Sequence, residues 1–438
     1  MQAVDLIIEA GWIIPVVPAD TVLTDCAIVI DEGKIVALVP SAEVGRRFHA
    51  KEKLSLNKHI LTPGLINAHG HIAMSLLRGY ADDLPLQRWL EDHIWPTEEK
   101  YVSEQFVRDG AELAIAEMIR SGTTCFSDMY FFPDQTAKVA HNAHIRCQIA
   151  FPILEFSSAW AVNADDYISK GLALYDDYRA HPLITLCFGP HAPYTVSDET
   201  FARIAALATG LQAGIQIHLH ETADEVSQSM NDCGRRPLQR LSDLGILTPQ
   251  TQCVHMTQVN DEDIDLLVAS GAHVVHCPES NLKLASGFCP VGKLMDAGVN
   301  IAIGTDGCAS NNNIDLFGEL HTAALLAKAV ANDAAALKSH QALAMATING
   351  AKALNIDDHV GSLEVGKAAD IIAIALDELE HMPLYDPAAI LVYTHHSHRV
   401  THSWVQGRPL MAERRLLTMN QQEVMLKVNY WQQKLRQT

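Results

Sequence analysis

Two histidines flank a single glycine in His69-Gly70-His71, directly after an apolar run, and that spacing carries chemistry. Strand side chains alternate, so residues two apart point the same way; both imidazoles can reach one metal, and Gly70 adds no bulk between them. Among 22 histidines an H-x-H pair is weak evidence by itself. Its weight comes from downstream, where further apolar runs end in His191, in His218 with Glu221 close behind, in His255, in His276 and in Asp306. His69, His71, His218 and Asp306 together offer three neutral nitrogens and one carboxylate oxygen. That set suits one divalent ion, Zn2+ first and Fe2+ as the alternative, with a position left for water. Bound Zn2+ lowers the pKa of water to about 7 and so supplies hydroxide at neutral pH. Glu221 can then shuttle protons between this water and a substrate ring nitrogen, His255 can orient the hydroxide, and Asp306 can take a proton as the water attacks.

Other hydrolase signatures are missing. His220-Glu221 is followed by Thr222, Ala223 and Asp224, which breaks the H-E-x-x-H of zinc proteases, and no P-C-x-x-C matches the cytidine-deaminase pattern. There is no G-x-S-x-G and no phosphate-binding loop. The third and fourth runs end near Glu155 and His191 without a lysine to bridge two ions, so one metal is expected. His276 has an equal claim as a hydrogen-bonded brace of the rim and stands outside the set. His395, His396 and His398 are read as exposed strand or turn residues rather than as ligands.

Groups so far apart in the chain need a frame that gathers them. Eight apolar runs alternate with stretches of helical length: Ile60 to Ala68, Thr123 to Ser127, Arg146 to Ile153, Leu183 to Phe188, Gly214 to Leu219, Thr251 to Val254, Ala272 to Val275 and Asn300 to Gly304. Ser103 to Arg120, closed by Gly122, shows the helical texture between them. Eight such units predict an α/β fold, a closed (β/α)8 TIM-like barrel over residues 60–365, whose active site lies at the carboxyl ends of its strands. The first sixty residues are β-rich, with a hairpin signal at Asp31-Glu32-Gly33-Lys34, and the texture returns at Ile371 to Ala375 and from Trp404 to Leu410 around a Gly407 turn. Residues 1–59 and 366–438 are therefore expected to pair into a small discontinuous β-sandwich domain.

Composition bounds the partners. The 438 residues hold 32 Lys and Arg against 52 Asp and Glu, a formal charge of -20 that repels a phosphate backbone and an anionic lipid surface, so nucleic acid and membrane are excluded. The first twenty residues have no basic start, and no apolar run is long enough to span a bilayer, which predicts a cytoplasmic protein. Nine cysteines, never spaced as C-x-x-C, read as reduced and mostly buried.

Taken in combination, Pro63-Gly64-Leu65-Ile66-Asn67-Ala68-His69-Gly70-His71, His218 to Glu221, His276-Cys277-Pro278-Glu279-Ser280-Asn281-Leu282-Lys283-Leu284 and Gly304-Thr305-Asp306-Gly307 resemble the amidohydrolase superfamily across essentially the whole chain. Leu76 to Leu84 and Trp89 to Glu98 narrow the similarity to methylthioadenosine/S-adenosylhomocysteine deaminases, whose substrate loop follows the first strand. The resemblance implies that Glu98 accepts hydrogen bonds from ribose hydroxyls, that Trp89 packs against the nucleoside, and that His191 contacts substrate. It also suggests a homo-oligomer, and Arg146 as a candidate partner for the amino-acid tail of S-adenosylhomocysteine. The implied reaction attacks the adenine six-position, with Glu221 protonating the neighbouring ring nitrogen, and expels ammonia. Adenosine, guanine and chlorinated triazines are the runner-up substrates, because one metal site serves many leaving groups. An inactive, metal-free barrel acting as a scaffold is the reading from another class.

Overall fold

A computed structural model describes residues 1–394 and 397–436. Two eight-stranded sheets organise the chain. The first is built from both ends: β1 (Gln2–Ile13), β2 (Leu23–Asp31), β3 (Lys34–Pro40) and β4 (Phe48–Pro63) from the beginning. The second runs from β5 to β12: Leu65–Asn67, Thr123–Asp128, Arg146–Ile153, Ile184–Pro190, Ile215–Leu219, Thr251–His255, His273–His276 and Ile301–Ile303. The first sheet is completed by β13 (Ile371–Ala375), β14 (Val400–Val405), β15 (Arg408–Ala412) and β16 (Arg415–Leu416).

Strands β5 to β12 are parallel and neighbour one another in chain order. The ring closes where Ala68 N–H donates to the Ile303 carbonyl at 2.9 Å and Asp306 N–H to the His69 carbonyl at 3.1 Å. Gly304 permits that approach, since a Cβ there would sit 2.9 Å from His69 Cβ. The crossover helices start where a side chain satisfies the first free amides: Ser103 before Glu104–Ser121, Asn163 before Ala164–Tyr178, Ser197 before Asp198–Leu211 and Thr222 before Ala223–Cys233. The helix expected from Ser103 ends at Gly122, whose φ of +97° is the left-handed close that glycine adopts freely.

In the terminal sheet, β13 joins the two ends by pairing with β4 on one side and β14 on the other. Ile8, Ile28, Ile30, Ile35, Leu61, Ile371 and Trp404 from the strands of this sheet share one apolar core. The expected hairpin links β2 to β3 through Glu32 and Gly33, both at positive φ.

Two expectations need correction. The run Ile60 to Ala68 is not one barrel strand: Ile60–Pro63 pairs with β1 and β13, and only Leu65–Asn67 enters the barrel. Gly64 lies between them, where a Cβ would come within 2.0 Å of Thr124 Oγ1, so the chain passes from one sheet to the other through a gap that admits no side chain. The chain end also departs from β texture. Gln421–Leu435 is a helix packed on Glu104–Ser121, and Trp431 donates its indole N–H to Asp109 at 2.9 Å beside Phe106. Seven of the nine cysteines are buried and none is in a disulfide. No helix among the described residues is long and apolar enough to cross a membrane.

Candidate active site

The carboxyl ends of the barrel strands bring the separated polar groups together. His218 Nε2 lies 3.2 Å from Nε2 of His69 and of His71. Asp306 Oδ1 lies 3.5 Å from the first of these rings and 3.2 Å from the second, and one donor atom from each of the four residues falls within 4.8 Å of all the others. The far side of each ring is held. His69 Nδ1 meets Gln216 Oε1 at 2.9 Å, His71 Nδ1 the Met129 carbonyl at 2.6 Å, and His218 Nδ1 the His191 carbonyl at 2.7 Å. Gln216 donates its own amide to the Ala68 carbonyl, which leaves its oxygen as the acceptor. With a proton on each Nδ1, the three Nε2 lone pairs face one another and a carboxylate, an arrangement that a divalent cation satisfies. The donor set fits a metal ion, and all four residues are buried or nearly so.

Glu221 is aimed by its backbone. Glu225, in the first turn of the next helix, accepts the amide of His220 at 2.9 Å and of Glu221 at 2.8 Å, while Thr257 Oγ1 donates to the Glu221 carbonyl at 2.7 Å. His220, His255 and Asp306 turn off their strands with φ of +51°, +76° and +60°. Non-glycine residues pay about 1–3 kcal/mol each for such backbone, and it is found where surrounding bonds impose it. His255 Nδ1 meets Asn281 Oδ1 at 2.8 Å, leaving its Nε2 3.8 Å from Glu221 Oε2. Burial, and then the negative charge of Asp306, push the Glu221 carboxyl up to about 8, into the range where it can hold a proton at neutral pH.

Above this floor opens a cavity of about 640 Å3. Its wall includes Trp89, Glu98, Tyr130 and His191, together with the apolar side chains of Leu86, Leu90, Trp95, Phe131, Leu154 and Phe156 and the polar Glu99, Ser157 and Ser158. No lysine or arginine lines it among the described residues. Tyr130 donates its hydroxyl to Glu98 Oε1 at 2.5 Å; burial nevertheless raises the Glu98 carboxyl to about 7. Burial and the neighbouring imidazoles lower His191 to about 4, so its ring is neutral, with Nδ1 toward Thr195 Oγ1 at 3.1 Å. Trp89 is buried, and its indole nitrogen finds no partner among the described residues.

Other candidates lie elsewhere. Arg146 is at the amino end of β7, away from the cavity, and is consumed by Asp370: its Nε donates to Oδ2 at 3.0 Å, and Nη1 binds the Pro182 carbonyl. It cannot reach a substrate tail. His276 is buried, and neither of its ring nitrogens has a hydrogen-bond partner among the described residues. His398 is exposed, and His395 and His396 lie outside the described residues. Tyr130, Gln216 and Glu225 escaped the sequence reading. Only Glu225 left a trace, the T-x-x-E spacing from Thr222 that marks a helix start; the other two act through pairings between separate segments that no spacing reveals.

A model of the amidohydrolase family matches residues 60–410. The chain belongs to that family. It is 54% identical over 432 residues to the 5-methylthioadenosine/S-adenosylhomocysteine deaminase of Teredinibacter turnerae, covering 99% of this chain and 98% of that protein. It is 56% identical to the protein of the same description from Saccharophagus degradans, covering 99% and 97%. The crystal structure of an adenosine deaminase from Xanthomonas campestris with bound zinc superposes with a TM-score of 0.99 at 46% identity, over 100% of both chains.

Proposed function

We propose that this amidohydrolase is a zinc enzyme that hydrolytically deaminates adenine nucleosides bearing an apolar 5′ substituent, 5′-methylthioadenosine ahead of S-adenosylhomocysteine, to the inosine-type product and ammonia. The observation that carries the proposal is the cavity itself: a four-residue metal-capable floor with Glu221 and His255 beside it, and the Glu98 carboxyl on the wall above. The deaminase descriptions of the two bacterial relatives support the reaction, and the zinc in the Xanthomonas structure supports the metal.

When bound, zinc lowers the pKa of a water toward neutrality and so supplies the nucleophile. The protein's residues do the rest. Asp306, whose carboxylate faces the site, would take a proton from the attacking water, and His255, fixed by Asn281, would present Nε2 to it as a hydrogen-bond partner. Glu221, protonated, gives its proton to the ring nitrogen beside the adenine six-position as the carbon becomes tetrahedral. Asp306 then passes the proton it took to the exocyclic amine, which leaves as ammonia, while Glu221 takes back the hydroxyl proton as the carbonyl forms and the C–N bond breaks. Glu98, held by Tyr130 through Oε1, presents its other oxygen to the vicinal ribose hydroxyls, two donors that one carboxylate can accept. The 5′ group then meets the apolar outer wall. A methylthio group suits that surface; a homocysteine zwitterion finds no cation for its carboxylate there.

Ammonia release from methylthioadenosine, S-adenosylhomocysteine, adenosine and guanine by zinc-loaded protein, beside a His69→Ala control, tests this. Metal-dependent turnover led by methylthioadenosine is the expected result. Metal binding with silence on all four would move the search to other amino- or chloro-heterocycles; no bound metal would favour the scaffold.

A further inference from the structure

Three of the four metal-facing residues are oriented by a neutral acceptor on the far side of an imidazole. The fourth, Asp306, is held differently. Its Oδ2 takes two hydroxyls, Ser280 Oγ at 2.6 Å and Ser310 Oγ at 2.9 Å, while Oδ1 is the oxygen that faces His69 and His71. The two serines come from separate segments. Ser280 is on the short helix Pro278–Lys283 after β11, and Ser310 is on the short helix Cys308–Asn311 after β12. Both are buried, and they lie 3.1 Å apart. Each hydroxyl has one proton, and for each the nearest acceptor is Asp306 Oδ2, closer than the Ser310 oxygen is to Ser280 or the Gly307 carbonyl to Ser310.

We infer that Ser280 and Ser310 form a hydroxyl clamp that makes Asp306 a one-oxygen metal ligand, and that they are positioning residues for the metal centre. The inference rests on reading Asp306 as a ligand. A carboxylate with both oxygens free can offer either or both to a cation. Two charge-assisted hydrogen bonds on Oδ2 remove that choice and leave Oδ1 alone turned inward. They also add to the bond from the Asp306 amide to the His69 carbonyl in holding a residue whose backbone sits at positive φ. Asp306 is thereby tied to the segment that bears Asn281, the partner of His255, so one helix sets both groups.

The test compares Ser280→Ala, Ser310→Ala and the double variant with the parent and with His69→Ala. Zinc affinity is measured by competition with a chromophoric chelator, and the d–d spectrum is recorded for the cobalt-substituted protein. The double variant is expected to bind zinc about 10- to 100-fold more weakly, the range seen when partners of metal ligands are removed. Its cobalt bands should lose intensity as the freed Oδ2 enlarges the coordination shell. Ser310→Thr, which keeps the hydroxyl and borders the cavity, should retain parental affinity and spectrum. Were the double variant unstable, the two single variants would each show part of the shift. Affinity and spectrum both unchanged in the alanine variants, with His69→Ala impaired, would overturn the clamp and keep the metal site. Unchanged affinity in His69→Ala as well would overturn the metal reading on which it stands.

Discussion

The outer wall of the cavity makes substrate choice a measurable consequence of solvation. Methylthioadenosine and S-adenosylhomocysteine share the ring and the ribose, so Glu98, Glu221 and the metal site treat them alike, and only the 5′ tail differs. In the first, a methylthio group would meet the apolar side chains of the cavity lining, Leu154, Phe131 and Leu90 among them. In the second, an ammonium and a carboxylate must lie there, with Glu99 the charged side chain at the mouth. Phe156 and Trp95 are 51% and 41% exposed, so the tail keeps part of its hydration and the penalty falls near the protein-derived range of about 1–3 kcal/mol for a polar group buried without a partner. At about 1.4 kcal/mol per tenfold, kcat/KM should favour methylthioadenosine by roughly 5- to 150-fold. The loss should appear in KM, with kcat nearly unchanged, because the tail makes the same contacts before and during the chemical step. Phe156→Arg supplies the missing cation; a charge-assisted hydrogen bond is worth about 1.5–3 kcal/mol and should bring the ratio toward one or invert it. Initial rates from the ultraviolet change on deamination measure both nucleosides with both proteins. Equal kcat/KM in the parent, or a ratio that Phe156→Arg leaves in place, would refute the reasoning.

Further outcomes follow from groups around the site. Burial pushes the Glu98 carboxyl up to about 7, so the KM for a nucleoside should rise as pH falls through that value, and this dependence should vanish in Glu98→Gln. The same shift has a stability sign: a folded value above the unfolded one favours the protonated form, so ionised Glu98 destabilises the fold above pH of about 7, and Glu98→Gln should melt higher than the parent on the alkaline side. Gly304→Ala would place a Cβ 2.9 Å from His69 Cβ, its amide nitrogen and its carbonyl; zinc affinity by chelator competition should collapse while circular dichroism keeps the parent's helix content. Trp431→Ala should cost about 3–5 kcal/mol in chemical denaturation, since a fully buried indole and its bond to Asp109 are lost; a cost under about 1 kcal/mol would show that the C-terminal helix does not support Glu104–Ser121.

What the chain showed before folding was considered depended on local rules. The alternation of apolar runs and helical stretches implied the barrel because each crossover is encoded within a few tens of residues, and the placement of His69, His71, His218 and Asp306 at run ends implied convergence because a barrel presents all its strand ends on one rim. The helix from Ser103 to Gly122 and the hairpin at Glu32-Gly33 were readable for the same reason, since capping and turn residues act on their neighbours. The division of Ile60 to Ala68 between two sheets was not readable, because apolar residues stand on both sides of Gly64 and the close approach there is to Thr124 in another strand.

Arg146 shows the limit most clearly. Its type and its place at the start of a barrel strand were compatible with a substrate contact, yet a strand has two ends, and Asp370, more than two hundred residues away, claims its guanidinium at the end opposite the cavity. The partners of the metal-facing groups were equally hidden. Gln216 under His69, Tyr130 against Glu98 and the two serines on Asp306 are common residue types, and each acquires its role from a hydrogen bond that the fold, not its own position in the sequence, brings about. The sequence by itself determined which chemistry could be assembled, because ligand type and strand period are local properties. Only the tertiary structure decided which oxygen or nitrogen of each group faces the site, because that depends on the one donor or acceptor brought to its other side.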